Sequence, residues 1–511
     1  MPETHIRKPL KKPMQKALWM VLPLLLAACG QNKNTTLNVL AGSELKDLTS
    51  IFDAMQKETG ITLNLQYVGT LDGVEKITTG DPADLAWFSH GKYLNLVARN
   101  KVVQQERIML SPVVLGVKHS KAQAWGWLNK DKPVTWDDIA QKASTGELKF
   151  AMTNPSASNS GFTALMGLNA ALKDKNALKD FFKGQALTAG SSGWLSDAFV
   201  QDQGKLDGMV NYESVILSLN QSGKLTERLD PIYPQEGIVT ADYPLMLLNK
   251  DQQASYQKVV DYLKQPDVQR KIMELTLRRP ASTDVPLSSI FPNALLVELP
   301  FPATAAEVQN ILASYFSEQR KPAHAIFVLD VSGSMGGDRL SNLKSSISNL
   351  AGQDTSLTGR YASFQNREKV TFIPFNSYTL PEKTFLIQSK QDNFEIQNYI
   401  NGLQADGGTG IYSALRAAYD LAGREMQADP NRTYTIVVMS DGENNSGLDL
   451  SGFENTFQMY PADLRQVRTF PILFGESDDQ DMNRLASDTG GKVFNGRDSL
   501  AKVFKEIRSY Q

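Results

Sequence analysis

Three short segments in the C-terminal part of this 511-residue chain carry oxygen-bearing side chains that suit a divalent cation. The first reads Asp-Val-Ser-Gly-Ser over residues 330–334, the second Asp-Gly-Gly-Thr-Gly over 406–410, and the third Ser-Asp-Gly-Glu over 440–443. Carboxylates and hydroxyls are hard oxygen ligands, which Mg²⁺ and Ca²⁺ prefer, and glycines let loops turn tightly around an ion. Each segment alone is a common polar turn. The three together predict a metal site.

The elements around these segments place them at one edge of a sheet. A buried strand is predicted over 323–331, just before the first segment, and another over 433–439, just before the third. The second segment opens a helix over 410–425. In an open parallel sheet, ligands bind beyond the carboxyl ends of the strands. Further strands and helices alternate along this region and predict a doubly wound, Rossmann-like α/β domain; the strands are 370–374, 468–474 and 492–495, and the helices 339–350, 479–486 and 499–509.

This pattern resembles the metal-ion-dependent adhesion site of the von Willebrand factor A family, which is written D-x-S-x-S followed by a Thr and an Asp. The resemblance covers residues 323–511 and implies five ligands, namely Asp330, Ser332, Ser334, Thr409 and Asp441. It implies Mg²⁺, or Mn²⁺ or Ca²⁺, held with one coordination position open. That position takes water or an Asp or Glu side chain of a partner protein.

The N-terminal region also alternates strands with helices, which predicts an α/β fold with parallel pairing. The expected strands are 37–41, 61–68, 84–89, 113–117, 149–152 and 208–213, and the expected helices are 44–58, 135–142 and 161–172. A long charged helix is predicted over 254–278, broken by Pro266.

Residues 37–300 resemble the bacterial periplasmic solute-binding proteins, nearest to the molybdate-type branch. The resemblance is carried by segments such as Tyr-Val-Gly-Thr at 67–70 and Asn-Tyr-Glu-Ser at 211–214. It implies two lobes that close on a small solute, with hydroxyls and helix N-termini that hold it if it is an anion. The candidate ligand-binding residues are Ser43, Thr70, Ser89, Ser158 and Tyr212. The alternative interpretation is that the Ser and Thr residues are ordinary helix caps.

The first residues are typical of an export signal rather than of a folded domain. Five cations precede an apolar run over 17–28, which ends in Leu-Ala-Ala-Cys-Gly and resembles the lipobox of bacterial lipoproteins. That resemblance implies lipid attachment at Cys29, the single cysteine, and a location in the cell envelope, in the outer membrane if the host is Gram-negative. The predicted organisation is a signal peptide over 1–28, a tether over 29–36, the two-lobed region over 37–300, a linker over 301–322 and the A domain over 323–511.

Composition and motifs favour binding over catalysis. The net charge of -2 gives no indication of nucleic-acid binding. The four histidines form no H-E-x-x-H motif and no G-x-S-x-G motif is present, so we expect no enzyme; His324 is expected in the core. The main prediction is a lipid-anchored envelope protein whose A domain captures a partner through a metal ion. The alternatives are a solute receptor of a membrane transporter and an assembly or metal-insertion factor.

Overall fold

Three β-sheets organise the computed structural model, which describes residues 35–129, 131–292, 294 and 296–511. Two sheets form two lobes in the N-terminal region, and the third forms the C-terminal domain. The predicted signal peptide and Cys29 lie outside the described residues. Within the described ranges, no helix is long and apolar enough to cross a membrane.

The first lobe begins with strands that alternate with helices. Its elements before the chain leaves the lobe are β1 (Thr35–Ala41), α1 (Thr49–Thr59), β2 (Ile61–Tyr67), α2 (Thr70–Thr79), β3 (Leu85–Trp87), α3 (Lys92–Ala98) and β4 (Gln104–Arg107). β1 pairs in parallel with both β2 and β3. Gly60 ends α1 in the left-handed conformation (φ 72°), which glycine adopts without steric cost and which lets β2 start at once.

The second lobe contains residues 109–241. Its elements are β5 (Met109–Lys118), α4 (His119–Ala124), α5 (Trp136–Ser144), β6 (Phe150–Thr153), α6 (Asn159–Ala171), α7 (Lys175–Lys183), β7 (Gln185–Ala189), α8 (Ser192–Asp202), β8 (Gly208–Tyr212), α9 (Glu213–Gln221), β9 (Leu229–Ile232) and β10 (Thr240–Ala241). The first ten residues of α6 are all buried, because its apolar side chains surround the helix instead of forming one stripe.

The chain then returns to the first lobe. The returning elements are β11 (Pro244–Leu247), α10 (Gln253–Leu263) and α11 (Pro266–Thr276), after which β12 (Arg279–Pro280) pairs with β5 in the sheet of the second lobe. Three segments therefore cross between the lobes, at 107–109, at 241–244 and at 276–279. Pro266 divides the charged helix as predicted and stands in the first turn of α11, where its missing N–H costs nothing.

Both N-terminal sheets are mixed: the predicted parallel pairing joins β1 to β2 and β3 and joins β6 to β7 and β8, and antiparallel strands, which the sequence did not reveal, extend both sheets. In the first lobe β11 runs antiparallel to β3 and β4, and in the second lobe β5 runs antiparallel to β8 and β9. β5 and β11 border the first two crossings, where the chain enters a sheet from the other lobe. An apolar run shows that a strand is buried and carries no information on its direction.

The segment predicted as a linker is a packed helix. α12 (Ala305–Ser314) begins with a capping box between Thr304 and Glu307 and continues into a π-helical turn over Tyr315–Gln319. Its apolar residues belong to the same hydrophobic core as the two lobes. The Tyr315 hydroxyl donates to Gln185 Oε1 (3.2 Å) in the second lobe.

The C-terminal domain has one sheet with helices on both faces. Its elements are β13 (Ala323–Asp330), α13 (Asp338–Ser348), α14 (Leu357–Ala362), β14 (Lys369–Phe375), β15 (Lys383–Leu386), α15 (Lys390–Asn401), α16 (Ile411–Ala428), β16 (Thr433–Ser440), α17 (Leu450–Met459), β17 (Arg468–Leu473), α18 (Asp479–Asp488), β18 (Phe494–Asn495) and α19 (Leu500–Ile507). The strand order is β15-β14-β13-β16-β17-β18, and only β15 is antiparallel. The predicted doubly wound fold is confirmed, with β15 as the strand that the sequence did not reveal.

The central strand β13 is buried on both faces. Its alternate residues Phe327 and Leu329 face one hydrophobic cluster, and Ile326 and Val328 face the other. This alternation follows from the two-residue period of a strand between two helical layers. His324 is also buried, as expected, and its Nε2 lies 2.8 Å from Thr371 Oγ1.

Candidate metal site and solute cleft

The parallel neighbours β13 and β16 end side by side at one edge of the C-terminal sheet. Asp330 is the last residue of β13, and Ser440 is the last residue of β16. Asp330 accepts a hydrogen bond from the Ser332 backbone N–H (2.7 Å) at Oδ1 and one from the Ser440 hydroxyl (2.5 Å) at Oδ2. Burial raises the pKa of Asp330, and the negative charge of Asp441 adds to this effect. The two loops thus bring two carboxylates together.

A chain of hydrogen bonds joins four of the five residues predicted from the sequence. The hydroxyls of Ser332 and Ser334 are 3.0 Å apart, and the Ser334 hydroxyl donates to Asp441 Oδ1 (2.8 Å). Asp330, Ser332 and Asp441 are buried, whereas Ser334 is exposed. Buried contacts therefore hold these four residues in place, and solvent reaches them at Ser334.

The loop of Thr409 contacts the first loop through backbone atoms. The Gly333 N–H donates to the Gly407 carbonyl (2.9 Å), and the buried Thr409 donates its backbone N–H to Asn445 Oδ1 (2.8 Å). Gly407 has a φ of 79°, which favours glycine there. The Thr409 hydroxyl forms no hydrogen bond with the other four residues. The structure thus brings the Thr409 loop to the site without linking its side chain to the network.

Arg339 is a member of this group that the sequence did not reveal. Its Nη1 lies 2.5 Å from Asp441 Oδ2, and its side chain is 36% exposed. A guanidinium is a permanent cation and pairs well with carboxylates. It supplies the positive charge that the buried Asp441 needs in this structure. No spacing rule in the sequence would have marked Arg339, because it lies beyond the motif, in the first turn of α13.

The donor set fits a hard divalent cation such as Mg²⁺. Two carboxylates and two hydroxyls lie within one hydrogen-bonded group, with no sulfur or imidazole among them. No group of three or more His, Cys, Asp and Glu side chains suited to a metal occurs in the described part of the chain. A site with only two carboxylates leaves a divalent cation under-neutralised, which favours an additional anionic ligand.

Two of the five candidate solute residues contact a common group between the lobes. Thr70, at the start of α2, donates its hydroxyl to Asn159 Oδ1 (2.6 Å) in the second lobe. The Tyr212 hydroxyl donates to Glu44 Oε1 (3.3 Å), and Asn159 Nδ2 lies 3.3 Å from the same oxygen. These contacts join the two lobes, so the cleft is closed at these residues.

The other three candidates lie near this group in different environments. Ser43 and Ser158 line a cavity between the lobes, and the Ser158 hydroxyl is 3.2 Å from that of Ser160. Ser89 is fully buried, and its hydroxyl has no hydrogen-bond partner in the described residues. Ser158 is the N-cap residue of α6 but makes no side-chain cap. The capping alternative therefore does not explain Ser158.

Glu44 also belongs to the cleft, although the sequence did not predict it as a ligand-binding residue. Burial raises the pKa of its carboxyl group. Burial and the Glu44 charge together raise the pKa of Tyr212 well above its ordinary value. An acidic residue at the start of a helical segment is usually solvated, and nothing in its spacing indicated otherwise.

Arg278 stabilises the same region from the first lobe. Its Nη1 donates to both Asp47 oxygens (2.8 and 2.7 Å), and its Nη2 donates to the Glu44 carbonyl (2.9 Å). Its guanidinium lies 5.1 Å from the ring centroid of Tyr243, which has a φ of 38° in the second crossing segment. This bidentate pair fixes the start of the first lobe against the segment that connects the lobes.

A cavity of about 800 Å³ lies between the two lobes and the C-terminal domain. Both lobes and the C-terminal domain contribute to its walls, with Lys46 and Gly69 from the first lobe, Ser156 from the second, and Tyr361 and Lys502 from the C-terminal domain. Its volume lies within the range of about 300–1,000 Å³ that is typical of small-molecule sites.

Comparison with known families identifies the two parts of the chain. The model of the bacterial extracellular solute-binding protein family matches residues 37–274, and that of the von Willebrand factor type A domain matches residues 325–508. The chain therefore contains a solute-binding protein domain followed by an A domain. The predicted order of folds is confirmed.

Individual relatives are more distant. The inter-alpha-trypsin inhibitor heavy chain H3 of Homo sapiens is 26% identical over 175 residues, which cover 33% of this chain and 18% of that protein. The heavy chain H2 of Sus scrofa is 27% identical over 197 residues, which cover 36% and 19%. The chain thus spans about a fifth of the length of these relatives.

Solved structures that are similar to this chain include a periplasmic binding protein and a ferric binding protein. The periplasmic binding protein AfuA from Actinobacillus pleuropneumoniae, solved with fructose-6-phosphate, is 13% identical with a TM-score of 0.44, covering 56% of this chain and 98% of that one. The ferric binding protein from Campylobacter jejuni is 15% identical with a TM-score of 0.43, covering 54% and 98%.

Proposed function

We propose that this chain is a binding protein of the bacterial cell envelope with two recognition sites, one for a small solute and one for a partner protein. The A domain would hold a divalent cation and capture an acidic side chain of the partner. The observation that carries this proposal is the hydrogen-bonded chain of Asp330, Ser332, Ser334 and Asp441 at the carboxyl edge of the A-domain sheet. The function is recognition, not catalysis.

Five residues would hold the cation: Asp330, Ser332, Ser334, Thr409 and Asp441. A bound Mg²⁺ supplies a strong, localised positive charge that attracts a carboxylate. Asp330 and Asp441 provide its two negative charges from buried positions, and the two serine hydroxyls supply neutral oxygens. The exposed Ser334 lies on the side from which a partner can approach. The open position there gives the site its preference for Asp or Glu.

The solute-binding domain supports a second role, as the receptor of a membrane transporter. The family match over residues 37–274 and the two lobes joined by three crossing segments favour this role. Lobes of this kind close on a solute by a hinge motion. The two roles are compatible, because a receptor that also grips a partner would bring its solute to one place in the envelope.

We further propose that lipid attached to Cys29 anchors the protein in the envelope. The support is the lipobox-like segment around Cys29. Acyl chains anchor a protein because each buried CH₂ contributes about 0.8 kcal/mol. The mass of the N-terminal peptide from membrane-extracted protein tests this proposal, since an unmodified Cys29 would contradict it.

Capture of a partner from solubilised envelope extracts tests the proposed function. The immobilised chain is expected to retain a partner in Mg²⁺ and to lose it in EDTA. Asp330→Ala is expected to abolish retention, because it removes a buried carboxylate of the site. Asp498→Ala is the matched control, since Asp498 is an exposed acid of the same domain that makes no contact with the site. Retention that survives both EDTA and Asp330→Ala would refute metal-dependent capture.

A further inference from the structure

The A domain contacts the first lobe through the start of α14. Glu75, on α2 of the first lobe, accepts hydrogen bonds from the backbone N–H groups of Leu357 (2.6 Å) and Thr358 (3.1 Å). It also accepts one from the Thr358 hydroxyl. A carboxylate at the N-terminal end of a helix satisfies free N–H groups and interacts favourably with the helix dipole. This contact fixes one side of the A domain on the first lobe.

A second set of contacts joins the A domain to the second lobe. Arg468 forms an ion pair with Asp202, at the end of α8, and its guanidinium lies 5.0 Å from the ring centroid of Trp194. The rings of Trp194 and Tyr510 meet edge to face at 4.9 Å. A side chain at Gly190 would lie 2.3 Å from Ser509 Oγ, so the two surfaces touch closely here. The A domain therefore bridges both lobes.

This bridging position makes the A domain a third wall of the cleft. The cavity of about 800 Å³ lies where the two lobes and the A domain meet. Beside it, the lobes are joined by the contacts of Glu44, Thr70 and Asn159, and Asn159 itself lines the cavity. A solute in the closed protein therefore has its space between these contacts and the A domain.

Most of the charged side chains around this cavity are cationic. Six lysine and arginine side chains and three acidic side chains line it. Two of the acids are already paired, Asp354 with Lys505 (3.2 Å) and Glu506 with Lys492 (3.0 Å). Two further cations pair with acids outside the lining, Lys76 with Asp81 and Arg508 with Glu368, which leaves Asp72 as the one lining acid without an ion pair within 4 Å among the described residues.

Two of these cations have no acidic partner. Among the described residues, neither Lys46 of the first lobe nor Lys502 of α19 makes an ion pair within 4 Å, and both are exposed. The Lys46 ammonium lies 4.8 Å from the ring centroid of Tyr67. Lysine ammonium groups that face a common cavity from different domains raise the local concentration of anions. The walls thus present two unpaired lysines and one unpaired acid, Asp72, to a partly open cavity.

We propose that this cavity binds a small organic anion that is long enough to reach lysines on opposite walls, and that Lys502 of the A domain contributes directly to its binding. The proposal rests on the solute-receptor part of the proposed function. A single tetrahedral oxyanion would fill a small part of about 800 Å³ and would reach only one wall. A phosphorylated sugar or a polycarboxylate reaches lysines on opposite walls, so both are members of the class.

Isothermal titration of the full-length chain at low salt tests this proposal. The probes are citrate and glucose 6-phosphate, with glucose and sulfate as neutral and single-oxyanion comparisons. We expect citrate or glucose 6-phosphate to bind at least about tenfold more tightly than either comparison, since two lysines can engage one ligand. Lys502→Ala and Lys46→Ala are each expected to weaken that binding by about fivefold or more. Lys390→Ala, an exposed lysine of the A domain away from the cavity, should have no effect.

Each contrary result bears on a different part of the proposal. Unchanged binding in Lys502→Ala, with an unchanged melting temperature, would overturn the role of the A domain as a wall and leave the receptor function intact. Tighter binding of glucose or sulfate, or no binding of any probe, would overturn the assigned ligand class. Mass spectrometry of solutes that the chain retains from a metabolite extract then separates the two proposals. A retained neutral or cationic solute would leave the receptor function standing, whereas no retained solute would refute both.

Discussion

Asp441 connects the candidate metal site to a cation that belongs to the protein itself. One of its oxygens accepts from Ser334 and the other pairs with Arg339. Asp441 is fully buried, and a buried carboxylate without a positive partner is costly. Arg339 meets this need in the structure described here. A divalent cation at the same carboxylate would therefore compete with the guanidinium for Asp441.

This competition predicts that Arg339→Ala strengthens metal binding. Without the guanidinium, the negative charge of Asp330 and Asp441 attracts a cation more strongly, so we expect Mg²⁺ or Mn²⁺ affinity to rise roughly threefold to tenfold. Calorimetric titration measures the change. Arg424→Ala is the matched control, because Arg424 pairs with Glu382 at the far end of α16. Unchanged or weaker affinity in Arg339→Ala would show that the arginine does not oppose the ion.

At the residue scale, the sequence predicted groups that fall within short motifs and missed groups that reach the site from elsewhere. Asp330, Ser332 and Ser334 stand two residues apart, so their common loop was visible in the sequence. Arg339 and Glu44 reach their sites through side-chain direction, which depends on the local backbone and on packing. Charged residues are mostly solvated, so neither could be distinguished from a surface residue in advance.

At the scale of elements, the contact between Glu75 and the start of α14 holds the A domain on the first lobe. Glu75 accepts hydrogen bonds from two backbone N–H groups of this short helix, which lies at the amino edge of the A-domain sheet, just ahead of β14. Hydrogen bonds to a charged group contribute about 1.5–3 kcal/mol when partly buried. This contact is therefore strong enough to influence the position of the domain.

Glu75→Ala is accordingly predicted to loosen α14. Hydrogen exchange at the Leu357 and Thr358 amides should become roughly tenfold faster or more, because each amide loses its charged acceptor. Amide exchange followed by NMR or mass spectrometry gives the measurement. Glu274→Ala is the control, since Glu274 is an exposed acid on α11. Equal protection of these amides in both variants would mean that the contact does not hold the domain in solution.

Elements were predicted well where an apolar run is long and poorly where a strand is short and exposed. All eight residues of β13 are buried, and its apolar run is evident in the sequence. In β15 only Phe385 is buried, so this edge strand lacked a clear signal. The direction of β5 and β11 depends on where the chain crosses between the lobes, which is a property of the whole fold.

At the scale of the whole molecule, the two proposed recognition sites lie at opposite edges of the A-domain sheet. Asp330 and Ser440 end their strands at the carboxyl edge, whereas Arg468 begins β17 at the amino edge. The amino edge faces the lobes through Arg468 and Asp202. The A domain can thus cover the solute cleft with one edge while it presents the metal loops to a partner with the other.

This arrangement was only partly predictable. The order of the two domains and the start of the first near residue 37 follow from sequence patterns, and the family match begins at the same residue. The docking of the A domain on both lobes depends on single contacts such as Glu75 with Thr358, which are 283 residues apart. Contacts at such separations leave no periodic signal in a single sequence.

The central claim is that Asp330, Ser332, Ser334, Thr409 and Asp441 bind a divalent cation, and direct titration tests it most simply. The full-length chain is titrated with Mn²⁺ and the free ion is followed by electron paramagnetic resonance. We expect one bound ion per chain, lost in Asp441→Asn and retained in Asp498→Asn. Asn keeps the shape of Asp441 and can still accept from Ser334, so the loss would reflect charge. No bound ion in the wild-type chain, or equal binding in Asp441→Asn, would refute the proposed metal site.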